Sequence, residues 1–592
     1  MKYKDFTFVI TKNTVNIVDD TSEMKLIQND KSLIKVYSNI IDSYVNDNLS
    51  IYINGYIQLK KEYTKDDFFD IKIKIIDLYN AHGDSFLDYL SGTFIIIIYN
   101  QTDHLAKVYR DKLGGESAYY YTDDEMIIIA SRLNLLTKFV RKNLKINTAI
   151  IPSYLYHHYI VSPFTIFENV FKVKSGEKVS LTFGNFEKSI VSSLVTDYFS
   201  TNRDKKITTL EAQTTVDRLL KTEIQALIKN KKVGTFLSGG IDSSLITAIT
   251  QYCNDTKIQS YSIGFLEDKF DEAVYAAEIA KVIGVDHKVY YMDDNKILEY
   301  INKITEVYDE PYADSSQIAT MYAYDIAASE VDIVLGGDGG DEFFYGYNMF
   351  ENNKKLQKIK WIIYPIASII KFLHLDEKIR LPKKVNLIVD RDKNKSCKTQ
   401  FYSTEKLKRI KKMVLDTKVI EPRFLLEHNY KTTKWDEQLM MVHFETSLPD
   451  DMMIKVDRPA KYNGFYPASP LLSDSIIQYS HKIPLHIKYS KELGKKDILK
   501  RVLFTYVPKV HFERPKKGFS VPLKNIIRQY LWESILELSE KSRIEKQSIF
   551  NHEYLIKELN LFYSGGNSIM QDRDIFAYYI FQKWYQRNIE NE

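Results

Sequence analysis

The chain has 592 residues, of which 44% are hydrophobic and 27% charged, and its formal net charge at pH 7 is +4. This length exceeds what one hydrophobic core supports, so we expect roughly two to four domains, and the near-neutral charge gives no reason to expect a nucleic-acid or anionic-membrane partner. The two cysteines, Cys253 and Cys397, exclude a disulfide framework and a cysteine-rich metal site, and they predict a reducing, cytoplasmic setting.

The first 195 residues read as short β-strands separated by turns. Runs such as FTFVI, SIYINGYIQL and GTFIIIIYN are rich in β-branched and aromatic residues, which favour strands. One stretch, from about Asp70 to His82, has helical periodicity. We therefore predict that residues 1–195 form a sheet-dominated domain with few helices.

The pattern changes from about Thr209, where amphipathic helical segments alternate with short apolar strands such as VGTFL and IQSYSIGF. This alternation predicts a parallel, doubly wound sheet, and we assign residues 205–592 to this second domain. Beyond Gly346 the sequence is mostly helical, with a lysine-rich insertion from about 352 to 412.

The longest apolar segment is WIIYPIASII, which begins at Trp361. It falls short of the roughly 20 residues that a membrane-spanning helix needs, so we predict no membrane span. The segment reads as a packed helix in the insertion, with a helix lying on a membrane surface as the alternative.

The strongest local signal is the run KVGTFLSGGIDSSLITAIT from Lys232, in which a strand is followed by glycines and serines and then by a helix. The N–H groups at a helix N-terminus attract an anion, and the hydroxyls of Ser238, Ser243 and Ser244 add donors for phosphate oxygens. An isolated SGG is no more than a tight turn, and the run has neither Walker A nor GxGxxG spacing. With strand, SGGIDSS and helix in this order, the run predicts a pyrophosphate-binding loop.

A second glycine-rich loop, LGGDGGDEFFYGY, follows the apolar strand VDIV and carries Asp338, Asp341 and Glu342. Carboxylates at a strand end suit Mg²⁺, which takes a few hard oxygens together with nucleotide phosphates. On its own such a loop is equally well a solvated turn. Together with SGGIDSS it predicts a magnesium–nucleotide site.

The order and spacing of SGGIDSS, SYSIGF, LGGDGGDEFFYGY and RPKKGF closely resemble the asparagine synthetase superfamily, and the likeness extends over nearly the whole chain. The resemblance implies an Ntn-hydrolase-like sandwich of the class II amidotransferase type in front. Behind it, the resemblance implies a doubly wound sheet of the ATP pyrophosphatase (PP-loop) type with helical additions. It also implies ATP and Mg²⁺ as cofactors, and a homodimer.

Carried over position by position, the resemblance implies a set of site residues. The adenine and ribose contacts fall on Leu237, Ile263, Gly336 and Gly337. The pyrophosphate loop falls on Ser238, Gly239, Gly240, Asp242, Ser243 and Ser244. The magnesium-binding aspartates are Asp242 and Asp341, and the catalytic residues are Lys516 and Asp338. Without the resemblance, Lys516 in ERPKKGF would be read as an ordinary surface lysine.

The implied reaction is the attack of a carboxylate oxygen on the α-phosphorus of ATP, followed by capture of the acyl-adenylate by an amine. The front half resembles the glutaminase domain of the same family, whose nucleophile is an N-terminal cysteine. Here Lys2 stands at that position, and the hydroxyl of Thr7 would need processing to become terminal. We expect no glutamine hydrolysis, and we expect Asn54 and Gly55, which match the oxyanion-hole pair, to remain as turn-forming residues.

The acceptor side is predicted from DEPYADSSQI (309–318) and LPDDMMIKVDR (448–458), which read as pocket walls. Asp338 keeps the acid found in asparagine synthetases, where β-lactam-forming relatives carry a tyrosine. In contrast, the family stretch E-x-R-x-P-F-L-D is here YPASPLLS from Tyr466, without the glutamate and the arginine. Loss of an arginine removes a bidentate carboxylate partner, so we expect a substrate other than free aspartate.

These observations favour an ATP-dependent, AMP-forming amide ligase that uses ammonia or a substrate amine. Asparagine is one of the products that such an enzyme would form. One alternative is a ring-closing amide synthetase like the β-lactam synthetases or lasso-peptide cyclases. Another is a catalytically silent nucleotide-binding scaffold. A phosphate-releasing kinase or hydrolase is disfavoured because the Walker lysine is absent.

Overall fold

The computed structural model describes most of both predicted domains. The described residues are 5–11, 24–29, 32–37, 42–45, 49–60, 71–141, 144–201, 204, 206–267, 271–348, 350, 365, 369–370, 404–416, 420, 435–514, 521–566, 568 and 570–590. Most of the predicted insertion and of the apolar segment from Trp361 lies outside them, as does Lys516.

Two six-stranded antiparallel sheets make up the front domain within the described residues. Their orders are β10-β8-β9-β1-β3-β2 and β12-β11-β7-β6-β5-β4. The strands are β1 (Thr7–Thr11), β2 (Met24–Asn29), β3 (Ser32–Tyr37), β4 (Asp42–Val45), β5 (Leu49–Leu59), β6 (Leu90–Asn100), β7 (Leu105–Arg110), β8 (Tyr119–Thr122), β9 (Met126–Ala130), β10 (Phe171–Lys172), β11 (Glu177–Thr182) and β12 (Asn185–Ile190).

The central strand β6 shows why this half folds as a sandwich. Its apolar side chains alternate between two cores, because successive residues of a strand point to opposite faces. Ile95 and Ile97 pack between the two sheets, whereas Ile96 and Ile98 pack with Ile75 of the helix α1 (Ile71–His82). The outer face of one sheet is therefore covered by the predicted helix.

A four-stranded parallel sheet lies at the centre of the rear domain, in the order β15-β14-β13-β16. Its strands are β13 (Val233–Phe236), β14 (Gln259–Phe265), β15 (Asp286–Met292) and β16 (Ile333–Leu335); a short antiparallel hairpin, β17 (Tyr489–Ser490) and β18 (Gly494–Lys495), follows later in the chain. Ile333 and Leu335 pack into one core, and Val334 between them packs into another. Helices cover both faces, as a doubly wound sheet requires.

Helices account for most of the remaining rear domain. The helices after α1 are α2 (Leu133–Val140), α3 (Ile151–His157), α4 (Leu194–Ser200), α5 (Thr209–Ile228), α6 (Ile241–Tyr252), α7 (Ala273–Ile283), α8 (Asp294–Val307), α9 (Gln317–Ala328), α10 (Gly340–Phe343), α11 (Thr404–Met413), α12 (Trp435–Glu445), α13 (Met453–Tyr462), α14 (Asp474–Lys482), α15 (Leu485–Lys488), α16 (Asp497–Leu503), α17 (Leu523–Ile526), α18 (Trp532–Glu537), α19 (Lys541–Gln547), α20 (His552–Tyr563) and α21 (Asp572–Tyr585). No helix in the described part of the chain is long and apolar enough to cross a bilayer.

Buried ion pairs join the two domains. Arg132 of the front domain lies 2.6 Å from the carboxylate of Asp309, and Arg458 of α13 lies 3.7 Å from the same group. Burial opposes ionisation of Asp309, but the two guanidinium groups hold its pKa below the usual value. The Arg132–Asp309 pair crosses between the domains, and separating them would break this buried contact, so it constrains the domain arrangement.

Helix α13 touches both domains. Lys455 and Val456, near its start, line the main cleft of the rear domain. Near its end, Arg458 donates to the hydroxyl of Tyr119 at 3.1 Å, and Lys461 lies 2.9 Å from the carboxylate of Glu116. The same helix therefore forms a wall of the cleft and a contact with the front domain.

Candidate active site

The first glycine loop joins β13 to α6 and is held by its own hydroxyl groups. The side chains of Ser238 and Ser243 lie 2.9 Å apart, and the Ser238 N–H donates to the Ser243 hydroxyl at 3.1 Å. Gly239 has φ = 71°, a left-handed conformation that glycine adopts without strain. Helix α6 begins at Ile241, so its N-terminal N–H groups face the loop. The strand, the loop and the helix therefore follow one another as the sequence predicts.

The second glycine loop, after β16, lies against the first. A Cβ on Gly337 would come within 2.8 Å of the Ser243 nitrogen, and one on Gly340 within 2.2 Å of Asp242 Oδ1. Both distances are shorter than any ordinary contact, so these two positions require glycine for the loops to touch. The close approach brings Asp242 and Asp341 to the same place in the fold.

A lysine that the sequence analysis did not identify lies between these two aspartates. The ammonium group of Lys496 is 2.7 Å from Asp341 Oδ1 and makes a shorter contact with Asp242 Oδ2. Burial lowers the pKa of Lys496, but the two carboxylates outweigh this effect and raise it. The carboxylate pair thus holds a cation in this structure, and that cation is the ammonium group of Lys496.

The pair also fits a divalent metal by its donor chemistry. Mg²⁺ is commonly held by one or two carboxylates together with nucleotide phosphates, and the lysine ammonium shows that a cation is accommodated here. Within the described residues, no group of three or more histidine, cysteine, aspartate or glutamate side chains is arranged to hold a metal by itself. A metal at this site would therefore depend on the phosphates of a bound nucleotide.

Both loops line a cleft of about 310 Å³. Most of the predicted nucleotide-contact residues line it, and so do residues from both predicted acceptor walls. The lining residues are Phe236, Leu237, Ser238, Gly240, Asp242, Ser243, Tyr261, Ser262, Ile263, Ser316, Thr320, Ala323, Tyr324, Gly336, Gly337, Asp338, Gly339, Gly340, Asp341, Glu342, Met452, Lys455 and Val456. Of the predicted contacts in the described chain, Gly239 and Ser244 do not line the cleft; Ser244 is fully buried behind the loop.

Charged side chains of the two predicted acceptor walls lie in and beside this cleft. Lys455 lies 3.4 Å from Asp314, and both side chains are largely buried. Burial, together with the like charge of Asp314, raises the pKa of Asp451 to about 7, although Lys455 opposes the shift. The Ser469 hydroxyl donates to Asp338 at 3.1 Å. Lys455 lines the cleft itself together with carboxyl groups, among them those of Asp338 and Glu342.

The stretch from Tyr466, which departs from the family pattern, contacts both domains. The Ala468 carbonyl accepts a hydrogen bond from the Gly336 N–H at 2.9 Å, which places this stretch beside the end of β16. The Tyr466 hydroxyl instead contacts the Thr93 hydroxyl of the front domain. Where the family pattern has glutamate and arginine, this chain has an aromatic interdomain contact and a methyl group.

Arg514 is a further residue that sequence reasoning missed. Its guanidinium donates to the Gly239 carbonyl at 2.9 Å and lies 3.7 Å from the ring centre of Tyr275. It belongs to the ERPKKGF run that also contains Lys516. Arg514 therefore braces the backbone of the phosphate loop from the outside.

The turn predicted at Asn54 and Gly55 is wrong, because both residues lie within strand β5. The polar groups beside them, which we call the front pocket, bind one another. The Asn54 amide donates to Glu116 at 3.0 Å, and a Cβ on Gly55 would lie 2.9 Å from Glu116 Cγ. Lys461 pairs with Glu116 at 2.9 Å and with Asp457 at 2.5 Å. The amide that matches an oxyanion donor thus binds a carboxylate of this chain.

Comparisons with known proteins cover both halves. The profile of the family described as asparagine synthase matches residues 215–586, and that of the glutamine amidotransferase domain matches residues 45–190. Asparagine synthetase [glutamine-hydrolyzing] 1 of Bacillus subtilis is 23% identical over 572 residues, which cover 93% of this chain and 87% of that protein. Asparagine synthetase [glutamine-hydrolyzing] 2 of Lotus japonicus is 27% identical over 329 residues, which cover 52% of this chain and 48% of that protein.

Proposed function

The chain belongs to the asparagine synthase family, and from this premise we propose that it is an ATP-dependent amide ligase. It would adenylate a carboxylate with ATP and release pyrophosphate. It would then transfer the acyl group to ammonia or an amine, with release of AMP. One observation carries the proposal. The two glycine loops and the two acceptor walls line a single cleft, so a nucleotide and a carboxylate can meet in it.

The chemistry follows from where the groups lie. The Ser238–Ser243 loop and the N-terminus of α6 would hold the phosphates, and the acceptor walls would present the carboxylate. Its oxygen attacks the α-phosphorus, and the bond to pyrophosphate breaks; the amine then attacks the acyl carbon, and AMP leaves with the carboxylate oxygen. A magnesium ion held by Asp242 and Asp341, when bound, would neutralise charge on the leaving pyrophosphate. Lys516 would stabilise the adenylate and the tetrahedral state formed by the amine.

We propose further that the front domain, residues 1–195, does not hydrolyse glutamine. It contains no cysteine, and Asn54 already donates to the buried carboxylate of Glu116. A tetrahedral oxyanion would have to replace an internal anion that Lys461 also neutralises. The nitrogen would then come from free ammonia or from a substrate amine.

The substrate would differ from free aspartate, because Tyr466 and Ala468 replace the glutamate and arginine of the family pattern. An acceptor that carries both its carboxylate and its amine, and closes a ring, is the second candidate, favoured by the internally filled front pocket. We also propose a cytoplasmic protein, because two cysteines fit a reducing compartment, and a homodimer, on family resemblance.

The test is an ATP–pyrophosphate exchange assay with purified protein, Mg²⁺ and a panel of carboxylates that includes aspartate, followed by AMP measurement with ammonia supplied. Exchange with one carboxylate supports adenylation and names the substrate class. Release of ADP and phosphate instead of AMP and pyrophosphate would overturn the proposal.

A further inference from the structure

We propose that Lys496 is a built-in counter-ion of the metal site: in the nucleotide-free protein its ammonium occupies the position between Asp242 and Asp341, and a divalent ion enters only when Lys496 withdraws. This inference rests on the proposed function for the identity of the site, but it concerns a step before any chemistry.

The position of the ammonium group is the first observation. It contacts one oxygen of Asp242 and lies 2.7 Å from one oxygen of Asp341, so it links the two glycine loops. A magnesium ion would need the same oxygens at about 2.1 Å. Two cations cannot share this gap, because both would be desolvated and their mutual repulsion is strong in a buried site.

The local backbone is built around this contact, which is the second observation. A Cβ on Gly346 would lie 2.2 Å from Lys496 Cε and 2.0 Å from Asp341 Oδ1, so only glycine leaves room for the pair. Lys496 itself has φ = 56°, a left-handed conformation uncommon for lysine, at the junction between β18 and α16. Its side chain is only 8% exposed. Such strain is retained where the surrounding structure determines it.

The neighbouring residues keep this junction in place and leave the ammonium as its adjustable part. Lys495 donates to the side chain of Asn348, and Asp497, the first residue of α16, pairs with Arg501 at 2.6 Å. The backbone on both sides of Lys496 is thus anchored. Lysine has four side-chain rotatable bonds, so its ammonium can move while its Cα stays fixed.

The charge balance gives the consequence. Two carboxylates and one ammonium leave a net charge of about −1, which weakens the attraction for a divalent ion that must first displace a paired lysine. Nucleotide phosphates change this balance, because they bring oxygens for the metal and a new anionic partner for the ammonium. Metal and nucleotide should therefore bind cooperatively, with metal alone binding weakly.

The first experiment measures Mn²⁺, as a stand-in for Mg²⁺, by the electron paramagnetic resonance signal of the free ion with the full chain and no nucleotide. We expect Lys496→Met to bind Mn²⁺ about tenfold tighter than the unmodified protein, because the competing charge is gone. Lys495→Met, which removes the adjacent lysine that contacts Asn348, is the matched control and should leave Mn²⁺ affinity unchanged.

Cooperativity is read in the same assay. A non-hydrolysable ATP analogue should raise Mn²⁺ affinity strongly in the unmodified protein and less in Lys496→Met, where the lysine no longer has to be displaced. Equal Mn²⁺ affinities of the unmodified protein and Lys496→Met without nucleotide would overturn the inference.

A second measurement needs no variant, in case Lys496→Met does not fold. Reductive methylation of the unmodified protein, followed by peptide mass spectrometry, reports how accessible each lysine is. Saturating Mn²⁺ alone should increase labelling of Lys496, whereas Lys461, which is buried between Glu116 and Asp457, should not change. Mn²⁺ binding without any change at Lys496 would show that the ion and the ammonium coexist, and would refute displacement.

The two proposals fail separately. Because Mn²⁺ binding and lysine labelling require no turnover, displacement of Lys496 can be observed even if no carboxylate supports pyrophosphate exchange. Conversely, exchange activity with a Lys496 that is indifferent to metal would leave the ligase proposal standing and remove this one.

Discussion

The rear cleft and the front pocket differ in how their polar groups meet open space. In the rear cleft, the loop hydroxyls, the glycine backbone and Asp338 border an open volume of about 310 Å³, although several of them also bind one another. In the front pocket, the Asn54 amide, the Glu116 carboxylate and the Lys461 ammonium bind one another and are buried. Polar groups that border an open volume can reach a ligand, whereas buried groups that satisfy each other stabilise the fold. The two pockets should therefore respond oppositely to substitution.

The largest effect is expected from the residues that we assign to the chemistry. Asp242→Asn and Lys516→Ala should each reduce AMP formation by about 100-fold or more, since each removes charge stabilisation from the phosphoryl or acyl centre. Circular dichroism should show an unchanged fold. Ser244→Ala, in the same loop but buried behind it, is the matched control and should retain most activity. Near-normal AMP formation by Asp242→Asn would contradict the assignment of the chemistry to the rear cleft.

A graded loss is expected from the glycines that let the rear loops touch. Gly340→Ala should weaken ATP binding by about tenfold or more, because the new Cβ would lie 2.2 Å from Asp242 Oδ1. Gly566→Ala is the control, since Gly566 does not line the cleft and its new Cβ would come no closer than 3.1 Å to the end of the Leu561 side chain. Calorimetric titration of ATP measures both, and equal affinities in the two variants would contradict the close approach of the loops.

In the front pocket, substitution should affect stability and leave catalysis intact. Glu116→Gln removes the charge that Lys461 and Asn54 share, and it should lower the free energy of unfolding by roughly 2 to 4 kcal/mol. AMP formation should stay within about threefold of the unmodified protein, and no glutamate should be released from glutamine. Glu187→Gln, on the exposed strand β12, is the control for stability. A Glu116→Gln protein of normal stability that has lost AMP formation would show that the front pocket serves catalysis and not stability.

The smallest effect is a pH dependence at Asp451, which lies next to the cleft-lining Met452. The folded pKa of Asp451 is about 7, above the unfolded value of about 3.9, so the folded state binds this proton more tightly. Stability from this group is full below about pH 4 and is lost as pH rises towards about 7. Asp451→Asn should therefore flatten the decline of unfolding free energy between about pH 4 and 7, by on the order of 1 kcal/mol per pH unit. Guanidinium unfolding at several pH values would show it, and an identical slope in both proteins would exclude the shift.

The elements that carry local signals were predicted well. The strand–SGGIDSS–helix unit, the second glycine loop and the helix at 71–82 follow from glycine conformational freedom and apolar periodicity, which are properties of neighbouring residues. Strand β15 was missed because it lies at the edge of its sheet and its side chains are mostly half-exposed, so the sequence shows no apolar run. The order of motifs along the chain was enough to indicate the family.

Contacts between distant residues were not predictable in this way. Lys496 is 254 positions from Asp242, and Glu116 is 62 from Asn54, so no spacing rule joins them. Both are charged residues whose default interpretation is a solvated surface. Only the fold shows that each is buried against a specific partner. A lysine next to an aspartate at the start of a helix, as in KKD, would have been at most a weak signal.

Helix α13 has a consequence for how this protein could be shortened in evolution. One end of the helix contributes Lys455 to the cleft, and the other end is held by Glu116 and Tyr119 of the front domain. Deleting the front domain would release that end, and the cleft would lose a fixed wall. Selection for an activity of the rear cleft alone would therefore be enough to keep the whole front domain.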